Sequence, residues 1–544
     1  MRGSTIVAEM NDTRTSLTGA TAGQAAGGPR KRNRLSADDK LKELKCRLLE
    51  INDLSAAGSV LSWDHATYMP QGGASARSRQ GATLRRLAHE RFVDPAMGRL
   101  IDGLTAYAES LPAENDDASL IRVVRRDFEK AIKVPSAFVQ RFNALGSTSY
   151  DVWTRARPAN DFAAVLPFLE QLLDLSREYA DFFAPYEHVA DPLIDDADEG
   201  MTAASVRALF SDLRPELVAL VRAIGDQPAI EDQCLRGAFA PNAQLDFGLA
   251  VAQRMGYDVE RGRLDQTHHP FCTKFSLGDV RITTWIDEGD IGKALFATVH
   301  EAGHALYEQG VDAALEGTPL GSGASAGVHE SQSRLWENVV ARSRGFWKHY
   351  YPVLQRTFPH PFERVPLDTF YRAINQVERS LIRTDADEVT YNLHIMLRFD
   401  LELELLEGRL RVKDLPEAWR ARMQADLGVA PPDDRDGCLQ DVHWYSGGIG
   451  GGFQSYTIGN VLSAQIYSAA ITTHPDIPRD IAAGHFATLH AWLREHIYRH
   501  GRKYTPADLI ARTTGAPMST GPYLAYLRRK YGEIYNLPAM SAAG

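Results

Sequence analysis

Leu295-Phe296-Ala297-Thr298-Val299-His300-Glu301-Ala302-Gly303-His304-Ala305-Leu306 reads as a helix arranged around a metal ion. Leu295, Val299, Ala302 and Leu306 recur at helical spacing, Asp287 and Asp290 offer start signals, and Gly310 offers a stop. On a helix, His300 and His304 share one face about one turn apart, so both imidazoles converge on a single ion. Glu301 points to the flank of that face, where a carboxylate takes a proton from water activated by the metal. Gly303, between the histidines, leaves the ligand face uncrowded. The plain alternative is an ordinary amphipathic helix carrying two histidines.

A catalytic zinc site needs a third protein ligand and one open position. Glu308 lies one further turn along the same helix, but three ligands in successive turns line up along the axis and cannot surround a tetrahedral ion. Glu330 is the better candidate. It follows the run Gly321-Ser322-Gly323-Ala324-Ser325-Ala326-Gly327 and opens an apolar-periodic segment with Leu335, Trp336, Val339 and Val340. A second helix packed on the first could present it to the ion. The competing reading is a carboxylate favoured by the positive end of a helix, and spacing alone leaves both open.

The 544 residues are 44% hydrophobic, ample for a large core, and the formal net charge is −10. A mildly acidic chain without a long basic run has no footprint for nucleic acid. No apolar stretch reaches the length that crosses a membrane. Cys46, Cys234, Cys272 and Cys438 lie far apart, lack paired zinc spacing, and read as free thiols of a cytoplasmic protein. Residues 1–35 are rich in Thr, Gly, Ala and Ser, end in Arg30-Lys31-Arg32 and Arg34, and read as a disordered tail.

From Ser36 onward the pattern is helix after helix. Apolar residues recur at three-and-four spacing over 40–51, 118–132, 162–183, 202–224, 367–382 and 393–406, with Asp161 and Thr202 as N-caps. The alternation over 273–285, turning at Leu277-Gly278-Asp279, reads as a β-hairpin just upstream of the metal helix. Neither a repeat nor a Gly/Pro linker divides the chain. The expectation is an all-α fold with a very small sheet, in a single domain over residues 36–544.

A series of motifs in order resembles the carboxypeptidase Taq family of metallocarboxypeptidases. They are Trp63-Asp64 with Met69-Pro70, His269-Pro270-Phe271, Asp279-Val280-Arg281-Ile282-Thr283, the metal helix, and His329-Glu330-Ser331. Ile382-Arg383-Thr384-Asp385-Ala386-Asp387 and Gly437-Cys438-Leu439-Gln440-Asp441-Val442-His443-Trp444 follow, with Thr514-Gly515 and Tyr526–Tyr531 near the end. One segment departs: Gly450-Gly451-Gly452-Phe453-Gln454-Ser455-Tyr456 replaces the tyrosine and proline of the family's glycine–tyrosine–phenylalanine–proline run.

The resemblance implies an elongated, neurolysin-like helical body with a deep central groove, usually a homodimer. It also implies that Glu330 joins His300 and His304 around zinc, a ligand set that cobalt accepts too. Glu301 is the implied general base, with His443 and Tyr456 as donors to the oxyanion. Arg383 suits the free C-terminal carboxylate of a peptide, because guanidinium binds carboxylate with two parallel hydrogen bonds. The alternative is a structural salt bridge for Arg383. His269, Asp279 and Arg281 stand as substrate-site candidates, although Asp279 and Arg281 could simply brace one another. The expected reaction is release of single residues from a free C-terminus. A related helical zinc oligopeptidase or dipeptidyl carboxypeptidase is the runner-up.

Overall fold

The computed structural model describes residues 36–538 and is 69% helical, so the all-α expectation holds. The tail assigned to residues 1–35 lies outside the described residues. Among those described, no helix is long and apolar enough to cross a membrane.

Several helices begin where side chains satisfy the free backbone N–H groups of a first turn. Asp161 accepts from Ala164, Thr202 closes a capping box with Ser205, and Asp290 accepts from the N–H of Gly292 at the head of the metal helix, Ile291–Gly310. The segment expected at 40–51 is part of a longer helix, Ala37–Thr67, opened by a Ser36–Asp39 capping box. One expectation needs correction: the helix read over 367–382 stops at Ala373. Beyond it, tertiary partners replace helical ones. Asn375 donates its side-chain amide to the carbonyls of Arg342 and Tyr371. The N–H groups of Val377 and Glu378 turn to the Tyr535 hydroxyl and the Asp387 carboxylate. The chain then runs on to a short 3₁₀ turn, Arg383–Asp385.

Three strands make the only sheet among the described residues: β1 (Leu264–Gln266), β2 (Cys272–Ser276) and β3 (Asp279–Thr284). The hairpin is β2 with β3, antiparallel; β1, too short to show alternation, adds to β3 in parallel, giving the order β1-β3-β2. The sheet is tied to the metal helix through Thr284, whose hydroxyl donates to the Ala294 carbonyl and accepts from Thr298.

The main apolar core runs from Ala156 to Tyr535, and a smaller cluster joins Leu41, Leu44 and Leu48 to Leu277, Val311 and Leu320. In the main core the Ala326–Arg334 helix packs against both the metal helix and the Gln454–Thr473 helix. Two glycines set that spacing. A Cβ on Gly303 would stand 2.6 Å from Ser333 Cα, and one on Gly459 would stand 2.5 Å from Glu330 Cγ. Both lie far inside van der Waals contact, so only hydrogen fits at either position.

Gly303→Ala is therefore expected to destabilise the metal-free protein by about 1–3 kcal/mol through overpacking. Gly532→Ala, also inside a helix but with nothing within 4 Å of its would-be Cβ, should be neutral or stabilising by up to about 1 kcal/mol. Differential scanning calorimetry of the two variants checks this. Equal melting temperatures would remove close helix approach as the reason for glycine at 303.

Candidate metal centre and active site

The metal helix and the Ala326–Arg334 helix bring three donors together: the ligand atoms of His300, His304 and Glu330 lie within 4.8 Å of one another. Glu330 Oε2 stands 3.7 Å from His300 Nε2 and 3.4 Å from His304 Nε2. Two imidazole nitrogens and one carboxylate oxygen facing a common point suit a divalent ion such as zinc. Burial favours the neutral acid at Glu330, but the Arg334 guanidinium 2.7 Å from Oε1 and the two histidines hold the carboxyl far below its usual range. Burial also pushes His304 down to about 4, which keeps it neutral. At His300, Glu330 and Glu337 outweigh burial and raise it.

Each of the two imidazoles is held from behind. His300 Nδ1 meets Glu337 Oε2 at 2.9 Å. Glu337 belongs to a π-helical turn, Leu335–Ala341, that continues the Glu330 helix. Arg334 and Arg342 flank its carboxylate, each at 3.4 Å. His304 Nδ1 meets a third imidazole, His329, at 2.5 Å, and His329 Nε2 reaches Glu308 Oε1 at 2.9 Å. Glu301 sits on the flank of the metal helix with 7% of its surface exposed. Burial, followed by the negative charges of Glu330 and Glu337, outweighs nearby His300 and raises its carboxyl to about 7.

A second group of side chains centres on Asp441. Its carboxylate accepts from Arg383 through Nε (2.5 Å) and Nη2 (3.3 Å), from Arg398 Nε (3.1 Å), and pairs with His443 Nδ1. The opposite nitrogen of His443 lies 3.4 Å from the Tyr456 hydroxyl. Arg398 comes from the Tyr391–Leu406 helix, buried nearly all round, where His394, Arg398 and Glu402 form a polar stripe at four-residue spacing. Glu402 anchors the indole of Trp444 at 2.7 Å. Gly450 and Gly451 take φ of +104° and +83° just before Tyr456. Glycine in that departing run therefore answers a backbone requirement.

Tyr391 joins the two groups. Its hydroxyl accepts from Arg383 Nη1 at 2.9 Å, the Arg334 guanidinium lies 4.6 Å over its ring, and its ring meets Tyr456 edge-on at 6.1 Å. His269 joins the Asp441 side: burial, then the charges of His443 and Arg383, hold it below its usual value. Asp279 and Arg281, both on β3, have partners of their own. They pair with each other at 2.7 Å, and the Arg281 guanidinium lies between the rings of Trp63 (4.3 Å) and Phe275 (4.8 Å), facing the N-terminal helix. The sequence reading passed over Arg334, Tyr391 and Asp441 as partners in the site. Only Arg334 carried a local signal, four residues after Glu330 on the same helical face.

The family described as carboxypeptidase Taq (M32) metallopeptidase matches residues 43–531. Thermostable carboxypeptidase 1 of Thermus thermophilus is 40% identical over 492 residues, which cover 89% of this chain and 96% of that protein. Carboxypeptidase 1 of Bacillus subtilis is 35% identical over 499 residues, 91% of this chain and 99% of its own. The crystal structure of the M32 carboxypeptidase from Deinococcus radiodurans R1 is 50% identical, with a TM-score of 0.89 over 91% of this chain and 99% of that one. The chain belongs to the carboxypeptidase Taq (M32) family and is a metallocarboxypeptidase.

Proposed function

We propose that this enzyme uses zinc to release single amino acids from the free C-terminus of peptides, with Glu301 as general base. The observation that carries the reading is the convergence of His300, His304 and Glu330 within 4.8 Å beside a buried Glu301. When bound there, a zinc ion supplies Lewis acidity, making a water more acidic and polarising the scissile carbonyl. Glu301, raised to about 7, accepts the water's proton and returns it to the departing amine. His443 Nε2 and the Tyr456 hydroxyl, 3.4 Å apart, supply hydrogen bonds to the developing oxyanion. Asp441 holds His443 from the opposite nitrogen and so fixes where that donor points.

Arg383 has five N–H groups, and three are engaged: two on Asp441 and one on Tyr391. One hydrogen remains on each terminal nitrogen, enough to receive a substrate carboxylate end-on. The same pairing, with only 6% of Arg383 exposed, is the observation that favours a structural role and with it the oligopeptidase alternative. The proposal extends to residues 36–544 acting as one catalytic domain within a cytoplasmic homodimer. The family resemblance supports the dimer.

Glu301→Gln should keep its metal and lose about 10²–10⁴-fold in turnover, because the amide cannot accept the proton. Glu330→Ala should lose both metal and activity, since two imidazoles alone hold zinc poorly. Metal analysis beside peptide hydrolysis checks both, and a fully active Glu301→Gln enzyme would remove Glu301 as the base.

Wild-type enzyme should cleave peptides with a free C-terminus far better than C-terminally amidated ones. Arg383→Ala should shrink that preference by on the order of a hundredfold in kcat/KM, as a buried charged hydrogen bond is lost. Misfolding, or a disturbed His443, would depress both substrates alike and leave the ratio intact. Equal wild-type rates on the two peptides would favour the oligopeptidase.

A further inference from the structure

We infer that His329 is a positioning residue that fixes which nitrogen of His304 is free for metal, at the end of a directed hydrogen-bond chain Lys274–Glu308–His329–His304. The inference rests on the proposed reading of His304 as a ligand. His329 itself stands outside the ligand cluster, with both ring nitrogens engaged by other side chains.

The direction of the chain follows from what each group can do. Lys274, on β2, can only donate, so Glu308 Oε2 at 2.5 Å accepts. Glu308 is 7% exposed, and His329 and Lys274 keep it ionised against the effect of burial, so its second oxygen accepts as well. The hydrogen between Glu308 Oε1 and His329 Nε2, 2.9 Å apart, therefore belongs to the imidazole. The 2.5 Å between His329 Nδ1 and His304 Nδ1 leaves room for one hydrogen only, and a His304 that offers Nε2 to a metal carries that hydrogen itself, which makes His329 Nδ1 the acceptor. His304 Nδ1, 2.5 Å away, must then donate. The remaining nitrogen of His304, Nε2, presents a bare lone pair towards the point it shares with His300 and Glu330.

The ring of His329 is also held in place. The Tyr307 ring lies beside it, tilted by 36° with centroids 5.2 Å apart, and the Tyr307 hydroxyl accepts from the N–H of Ala324 at 3.1 Å. His300 reaches the same tautomer by a shorter route, donating Nδ1–H directly to Glu337. The two ligands thus have different supports, a carboxylate behind one and an imidazole behind the other.

The test measures zinc affinity and zinc dissociation rate by chelator competition on the metal-free protein, together with its melting temperature. His329→Leu removes the acceptor and should weaken zinc binding about 10–100-fold. His329→Gln keeps an acceptor for His304 and a donor for Glu308, and should stay within about threefold of wild type. A merely structural role would lower melting temperature and affinity in both variants alike. Unchanged affinity in His329→Leu, or equal loss in the two variants, overturns the inference.

Should the His329→Leu protein fail to fold, Lys274→Met combined with Glu308→Leu removes the far anchor without leaving an orphaned charge. That pair should also weaken zinc by at least about tenfold, and unchanged affinity there overturns the inference too. His304→Ala separates the two levels. Zinc bound as tightly by His304→Ala as by wild type overturns the ligand reading itself. Loss of zinc there, with none in His329→Leu, overturns the chain alone.

Discussion

The site depends on keeping one carboxylate charged in a place where water is nearly absent. Glu330 has 6% of its surface exposed, and an isolated anion so deep would take up a proton. Arg334 prevents this from one turn further along the same helix, bonded to the oxygen that the histidines do not face. The carboxylate is thus divided: Oε1 belongs to the guanidinium and Oε2 to the point shared with His300 and His304. The close approach at Gly303 and Gly459 serves this division, because it fixes the Glu330 helix between its neighbours. A wider gap would admit water and loosen the approach of Glu330 Oε2 to the two histidines.

Around that point, charges alternate outward. Lys274 neutralises Glu308, Arg334 neutralises Glu330, and Arg334 and Arg342 share Glu337. Glu301 is the exception. Among the described residues it has no cationic side chain of its own, and burial raises it to about 7 while the paired carboxyls are lowered. The contrast separates carboxylates held charged by a cation from one whose charge burial opposes.

Much of this was legible in the chain. The metal helix, its Asp290 cap, the β2–β3 hairpin and the helical stretches after Ser36 all follow from local periodicity and capping chemistry. The convergence of Glu330 on the two histidines agrees with the expectation of a second helix packed on the first. What escaped was long-range. The three-residue strand β1 has too little length to alternate, and residues 374–382 look helical until distant partners claim their N–H groups. Asp441 pairs with Arg383 across 58 positions, and neither side of that pair predicts the other. His329 drew notice only as the neighbour of Glu330, because its role depends on Glu308 and on Lys274 of another element.

The Asp441 group also bears on how a substrate arrives. One aspartate faces two guanidinium groups, and although burial and Arg383 pull Arg398 down to about 10, it stays charged at neutral pH. The group therefore carries an excess positive charge within a protein whose formal net charge is −10. From afar the molecule repels an anionic chain end. Within about 8–10 Å, the screening distance of physiological salt, the two guanidinium groups act on an anion against the field of the remaining chain. Added salt weakens both the distant repulsion and the near attraction, so the ionic strength of the medium tunes the rate of encounter without altering a single contact in the site.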